Sequence, residues 1–186
     1  IDDAVCITRV THDNQLAISG ACATAAAISK SFDENASVYD IIQAGIYGAR
    51  KGEEIGMRIS RTVGGASVTE RIGMAVAIAM LPESKEERLR KIYNLVGTGL
   101  HVSEAVPAAF GIILICDGDN WDSVCEAVNV GYDTDTVAAI VGSIVGALKG
   151  TAGIREELFE ILNRENEIAL EETAEKVTEL VYDKMK

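Results

Sequence analysis

Aromatic side chains are scarce in this chain of 186 residues: three Phe, five Tyr and one Trp, 5% of the whole. Prolines number only two. So few of either excludes a sandwich of short strands with Pro-rich turns and favours helices packed through small residues. Positive charge is also short, with 17 Lys and Arg against 29 Asp and Glu, a formal net charge of −12. Such a chain repels phosphate backbones and anionic lipid, which argues against nucleic acid or a membrane surface as partner. A phosphorylated ligand would need cations between it and the protein. No apolar run reaches the ~20 residues of a membrane span; the longest are Val137–Leu148 and Gly73–Leu81. Cys6, Cys22, Cys116 and Cys125 form no Cys-x-x-Cys pair or Cys/His ladder of zinc spacing. Free, mostly buried thiols suit a reducing cytoplasm, the expected location. No signal peptide is present, and the chain starts mid-pattern at Ile1-Asp2-Asp3-Ala4 without an initiator Met. It is therefore expected to be a processed or trimmed piece of a longer protein.

What is present is helical period almost throughout. Asn14 or Asp13 caps a helix through Leu16, Ile18, Ala21, Ala25 and Ile28. A second follows Asn35-Ala36-Ser37 and runs into Glu53. Ser60–Ser67 reads as loop, and Thr69 then opens an apolar helix that Leu81-Pro82 stops. Ser84 starts an exposed helix to about Tyr93, and Ser103 caps the next, with Pro107 tolerated in its first turn. The turn Asp117–Asn120 leads into Trp121–Val130. A long helix ends at Lys149, and two charged amphipathic helices follow, Ile154–Asn163 and Ala169–Lys186. The expectation is a single all-α domain over residues 1–186, of about nine helices.

The informative segment is Gly131-Tyr132-Asp133-Thr134-Asp135-Thr136, directly before Val137–Lys149. Asp133, Asp135 and Thr136 offer three oxygens at a helix start, donors suited to Mg²⁺ or Mn²⁺ rather than zinc. The same residues are also standard at helix N-termini, where they cap the helix and complement its dipole. Both accounts stay open on spacing alone. Ala138, Gly142, Gly146 and Gly150 form a small-residue stripe behind the aspartates. It predicts a tightly packed, buried central helix holding the acidic cluster rigid. Two other motifs fail. A phosphotransferase-type Asp-x-Asp-x-Thr follows an apolar strand, whereas helical patterns flank this one. The turn at Asp117 lacks a calcium loop's Gly at its sixth position and Glu at its twelfth, having Asp122 and Val128. His12, just ahead of the first capped helix, serves either as a surface residue or as a ligand group. Gly97, Gly99 and Leu100, in Val96–His101, form a loop whose amides either bind an anion or simply make a turn.

Together these residues resemble a known family. Residues 131–147 closely resemble the C-terminal signature of the ADP-ribosylglycohydrolases, of the dinitrogenase-reductase-activating glycohydrolase type. Val10-Thr11-His12 with Ala17–Ala21 is similar to that family's Thr-His motif and the helix after it. Val96–Leu100 with Glu104-Ala105-Val106-Pro107 is similar to its glycine loop and Glu-x-Val-Pro helix. Tyr132 stands where a second Gly is usual. The resemblance implies an orthogonal multi-helix all-α bundle with a binuclear centre of two Mg²⁺ or Mn²⁺ ions. It implies hydrolysis of the glycosidic bond between ADP-ribose and a protein side chain or small acceptor. Asp133, Asp135 and Thr136 would be metal ligands, while His12, Gly97, Gly99 and Leu100 would contact the ligand.

The family's upstream Thr-Asp-Asp cluster, catalytic Glu and glycine-rich phosphate loop are absent from this sequence. No catalytic residue is therefore assigned, and the chain is expected to be the C-terminal portion of such an enzyme. ADP-ribose or an ADP-ribosylated acceptor is one expected partner, and the missing N-terminal segment of the same protein is another. The alternative is a non-catalytic helical homologue with a structural or ligand-binding role.

Overall fold

Starts of helices are written locally in this chain, and Asn14, Ser37 and Ser84 each make a cap. The computed structural model describes residues 1–151 and 153–184. Contacts gather these into two units, residues 1–152 and 153–186. Among the described residues there are ten α-helices, one π-turn and no strand, only an isolated bridge between Asn14 and Arg61. The all-α fold expected from the sequence is what the chain adopts.

The first unit opens with α1 (Asp2–Thr11), a helix ahead of the first one expected. Its N-cap, Ile1, makes no side-chain cap bond, so no start signal marked it. In α2 (Gln15–Ser31) the Asn14 side chain accepts from the Ala17 amide at 2.9 Å. A capping box of Ser37 and Asp40 starts α3, which continues past Glu53 to span Val38–Ile59. Ser67, not Thr69, caps α4 (Val68–Ala79). Ser84 and Glu87 form a second capping box at α5 (Lys85–Lys91), which passes into a π-turn over Ile92–Val96. His101, not Ser103, caps α6 (Val102–Ile115): its ring Nδ1 accepts from the Ser103 amide. Asp119 caps α7 (Asn120–Asn129), and α8 spans Thr134–Lys149.

The centre of this unit is α6, not α8. Every residue from Ala105 to Ile115 is buried, because α6 is apolar on all sides. By contrast α8 buries one stripe, Val137, Val141, Ile144 and Val145. Its small residues fall on another face. A Cβ on Gly142 would meet nothing nearer than Val124 at 3.8 Å, and one on Gly146 nothing within 4 Å. The close helix contact is made instead by α3 on α2. A Cβ on Gly52 would stand 2.7 Å from the Ile18 carbonyl oxygen, and one on Gly56 2.7 Å from Gln15 Cα.

All four cysteines are free; Cys22 and Cys116 are buried, and burial pushes the Cys116 thiol up to about 12. No described helix is long and apolar enough to cross a membrane.

The second unit is a helical pair, α9 (Glu156–Asn166) and α10 (Leu170–Lys184). Glu167 turns the chain between them at φ 53°, and the Asn163 carbonyl accepts from the Ile168 amide at 3.1 Å. The expected helix through Lys186 ends on Met185 and Lys186, which lie outside the described residues.

Candidate functional site

The acidic segment sits where α7 hands over to α8. Gly131 (φ 91°) and Tyr132 (φ 71°) take the chain through the left-handed region between the two helices. Glycine enters that region freely; a tyrosine does so at a cost of about 1–2 kcal/mol. The position at which a second Gly is usual is thus one where this backbone favours Gly. The Tyr132 side chain is 73% exposed, with its ring edge against Gly99.

Asp133 is the N-cap residue of α8, yet its side chain makes no cap hydrogen bond although the residue is only 9% exposed. The capping account of this aspartate therefore lacks its bond. Asp135 and Thr136, in the first turn of α8, are exposed. Two carboxylates and a hydroxyl at one helix start are hard-cation donors, but too few to complete a shell. Among the described residues, no three His, Cys, Asp or Glu side chains converge as a metal would require. By donor chemistry alone these oxygens suit Mg²⁺ or Mn²⁺, and further ligands would be required.

Beside this helix start lies a cleft of about 800 Å³ between α1, α2, α6 and α8. Its lining includes His12, Leu100 and Thr136, which the fold brings together from three distant stretches. His12 ends α1, with Nδ1 3.0 Å from the Thr11 hydroxyl. Leu100 is 80% exposed at the rim. His101, which no motif had singled out as a site residue, lines the same cleft with its ring held by the Ser103 hydroxyl at 2.8 Å. Much of the remaining lining is apolar, including Ile7, Leu16, Val102 and Ile140.

Gly97 and Gly99 do not line the cleft. Their amides are engaged within the chain: Gly97 donates to the Ile92 carbonyl at 3.0 Å and Gly99 to Glu104 Oε2 at 3.1 Å. The anion held by this glycine loop is the protein's own carboxylate. Side chains at either position would collide with it, since a Cβ would lie 2.8 Å from Glu104 Oε2 at Gly97 and 2.6 Å at Gly99. Glu104 had been visible in the sequence only as part of a motif, with no sign of where its carboxylate goes.

The glycine loop and the acidic loop are joined through Thr98, only 2% exposed. Its hydroxyl donates to the Gly131 carbonyl at 2.9 Å, and its carbonyl accepts from the Asp133 amide at 3.0 Å. Asp133 and the Gly97–Gly99 loop thus form one connected surface.

This all-helical chain, with its Asp-Thr-Asp-Thr helix start, matches the ADP-ribosylglycohydrolase family over residues 1–185. A 168-residue stretch is 31% identical to Uncharacterized protein YegU of Escherichia coli (strain K12), covering 90% of this chain and 49% of that protein. The chain belongs to the ADP-ribosylglycohydrolase family. It spans about half the length of the curated relative it matches.

Proposed function

We propose that this chain forms the Asp133-bearing side of a metal-dependent hydrolase that cleaves the glycosidic bond between ADP-ribose and a protein side chain or small acceptor. The observation that carries the proposal is Asp133, a residue only 9% exposed at a helix start that its side chain does not cap. Asp135 and Thr136 add oxygens beside it, and Thr136 and His12 line one cleft. Two Mg²⁺ or Mn²⁺ ions would supply the charge that an acidic chain needs to hold a diphosphate, and would polarise water or a ribose hydroxyl. The rest of the shell and the acid/base carboxylate would come from polypeptide beyond this chain, and the half-length match leaves room for it. His12 and Leu100 would contact the ligand in the cleft, with Gly97 and Gly99 shaping the loop that carries Leu100. A reducing cytoplasm is the compartment that suits its four free thiols.

Calorimetric titration with Mn²⁺ of a full-length protein containing this chain, and of its Asp135→Asn variant, tests this reading. Asp135 lies in the first turn of α8 rather than at its cap, so Asn removes only a dipole contribution of about 0.3–1 kcal/mol and melting in metal-free buffer should fall slightly. Mn²⁺ binding and Mn²⁺-induced stabilisation should both fall. Equal binding by the two proteins sinks the metal assignment. The chain alone should release little ADP-ribose from a modified acceptor; robust turnover would show that no further segment is needed.

A second reading is a non-catalytic homologue that uses the fold for binding alone. The apolar character of much of the cleft favours it. Mn²⁺-independent ADP-ribose binding without turnover in a full-length protein containing this chain would establish it.

A further inference from the structure

Pro107 lies in the interior of α6 and has no amide hydrogen, so it cannot donate to the Ser103 carbonyl one turn earlier. A carbonyl freed in this way needs another donor. Arg71 of α4 supplies it. Its Nη1 donates to the Ser103 carbonyl at 3.2 Å and to the Val96 carbonyl, at the end of the π-turn, at 2.9 Å. The same guanidinium nitrogen stands 3.8 Å from Glu104 Oε1. The other oxygen of Glu104 accepts from the Gly99 amide at 3.1 Å. One cation from a different helix thus ties both ends of the glycine loop and the carboxylate around which that loop folds. From the loop, Thr98 passes the constraint on through its two bonds to Gly131 and Asp133.

We propose that Glu104, braced by Arg71, is a positioning residue that fixes where the Asp133 carboxylate stands, acting through Gly99 and Thr98. The proposal rests on the metal reading above only in its last step, the effect on a bound cation. Asp133 has no side-chain cap bond of its own, so its placement depends on the backbone on either side. That backbone includes a tyrosine in the left-handed region, a conformation that persists only where surrounding contacts enforce it. The Glu104-braced loop lies against that residue, with the Tyr132 ring edge on Gly99. The strut also accounts for the two loop glycines, which leave room for the Glu104 carboxylate.

Amide hydrogen exchange, measured by NMR on the metal-free chain, tests the strut without any reference to activity. In Glu104→Gln, exchange at Gly99 and at Asp133 should rise about tenfold or more, the factor implied by losing a hydrogen bond to a charged group. The buried amides of Ile112 and Ile144 should keep their protection. Faster exchange at Gly99 with no change at Asp133 would overturn the proposal, because the loops would then be uncoupled. Should Glu104→Gln loosen the whole unit, Glu104→Asp retracts the same charge by one methylene and must raise exchange in the two loops alone. A uniform loss in both variants overturns the proposal. Titration with Mn²⁺ then adds a readout that a merely structural role would not move. In a full-length protein containing this chain, Glu104→Gln should weaken Mn²⁺ binding about tenfold, with Glu104→Asp intermediate; unchanged affinity would remove the link to the cation. If that full-length protein binds no Mn²⁺, the metal reading fails while the exchange results still decide the strut.

Discussion

Replacing one glycine by alanine should have opposite effects in two helices of the same unit. At Gly52 of α3, the new methyl would stand 2.7 Å from the Ile18 carbonyl oxygen and 2.8 Å from Cys22 Cβ, so α2 must move away. Overpacking of this kind costs ~1–3 kcal/mol. The gain in helix propensity offsets about 1 kcal/mol of that. Gly52→Ala should therefore lose up to about 2 kcal/mol, the balance of those two effects. At Gly146 of α8 the methyl meets nothing within 4 Å, so only the propensity gain of about 0.5–1 kcal/mol remains. Urea titrations followed by the fluorescence of Trp121, the single Trp and a residue of the first unit, would measure both values. In thermal melts, 1 kcal/mol corresponds to about 2–4 °C for a protein of this size. The reasoning fails if both substitutions stabilise, because α2 and α3 would then have room that the structure denies them.

Tyr132→Gly should be more stable than Tyr132→Ala by about 1 kcal/mol, since only glycine relieves the left-handed backbone; equal urea midpoints would refute the strain. The Lys85 ammonium, 2.5 Å away, holds the Asp122 carboxyl below its ordinary value of 3.8. A depressed carboxylate stabilises the fold above its unfolded value and loses that contribution as pH falls through the folded value. Asp122→Asn should thus cost stability at pH 7 and progressively less in titrations below pH ~4; a pH-independent difference would refute the ion pair's part.

Most helix starts were legible because a cap is a local signal. Asn14, Ser37 and Ser84 each bond an amide three residues on, or form a box with one, as their sequence context implies. Helix α1 was not legible, because Ile1 offers no side-chain cap. The small-residue stripe was half legible. Gly142 and Gly146 of α8 with Gly150 at its C-cap, and Gly48, Gly52 and Gly56 of α3, share the same spacing, and nothing in spacing says which stripe meets a neighbour. The decision comes from tertiary packing, where α8 turns Val137, Val141 and Ile144 inward instead. Likewise Asp133, Asp135 and Thr136 were visible as three oxygens in four residues. Their supports were not, because Arg71 holds the glycine loop and Thr98 the acidic loop largely through backbone groups that carry no residue-type signature.

The notch at Gly45 bears on the order in which this protein assembles. A side chain there would overlap the ring of Phe110, which is fully buried in α6. The α2–α3 hairpin, being local in sequence, closes at little entropic cost and can form while α6 is still emerging from the ribosome. The Phe110 ring then plugs an existing hole rather than nucleating a new one, which places its contacts late on the folding route. Stopped-flow measurements on Phe110→Leu should accordingly show faster unfolding with a nearly unchanged folding rate, and a slowed folding limb would reverse that order. On that order, Phe110 would be the residue that closes the notch left at Gly45.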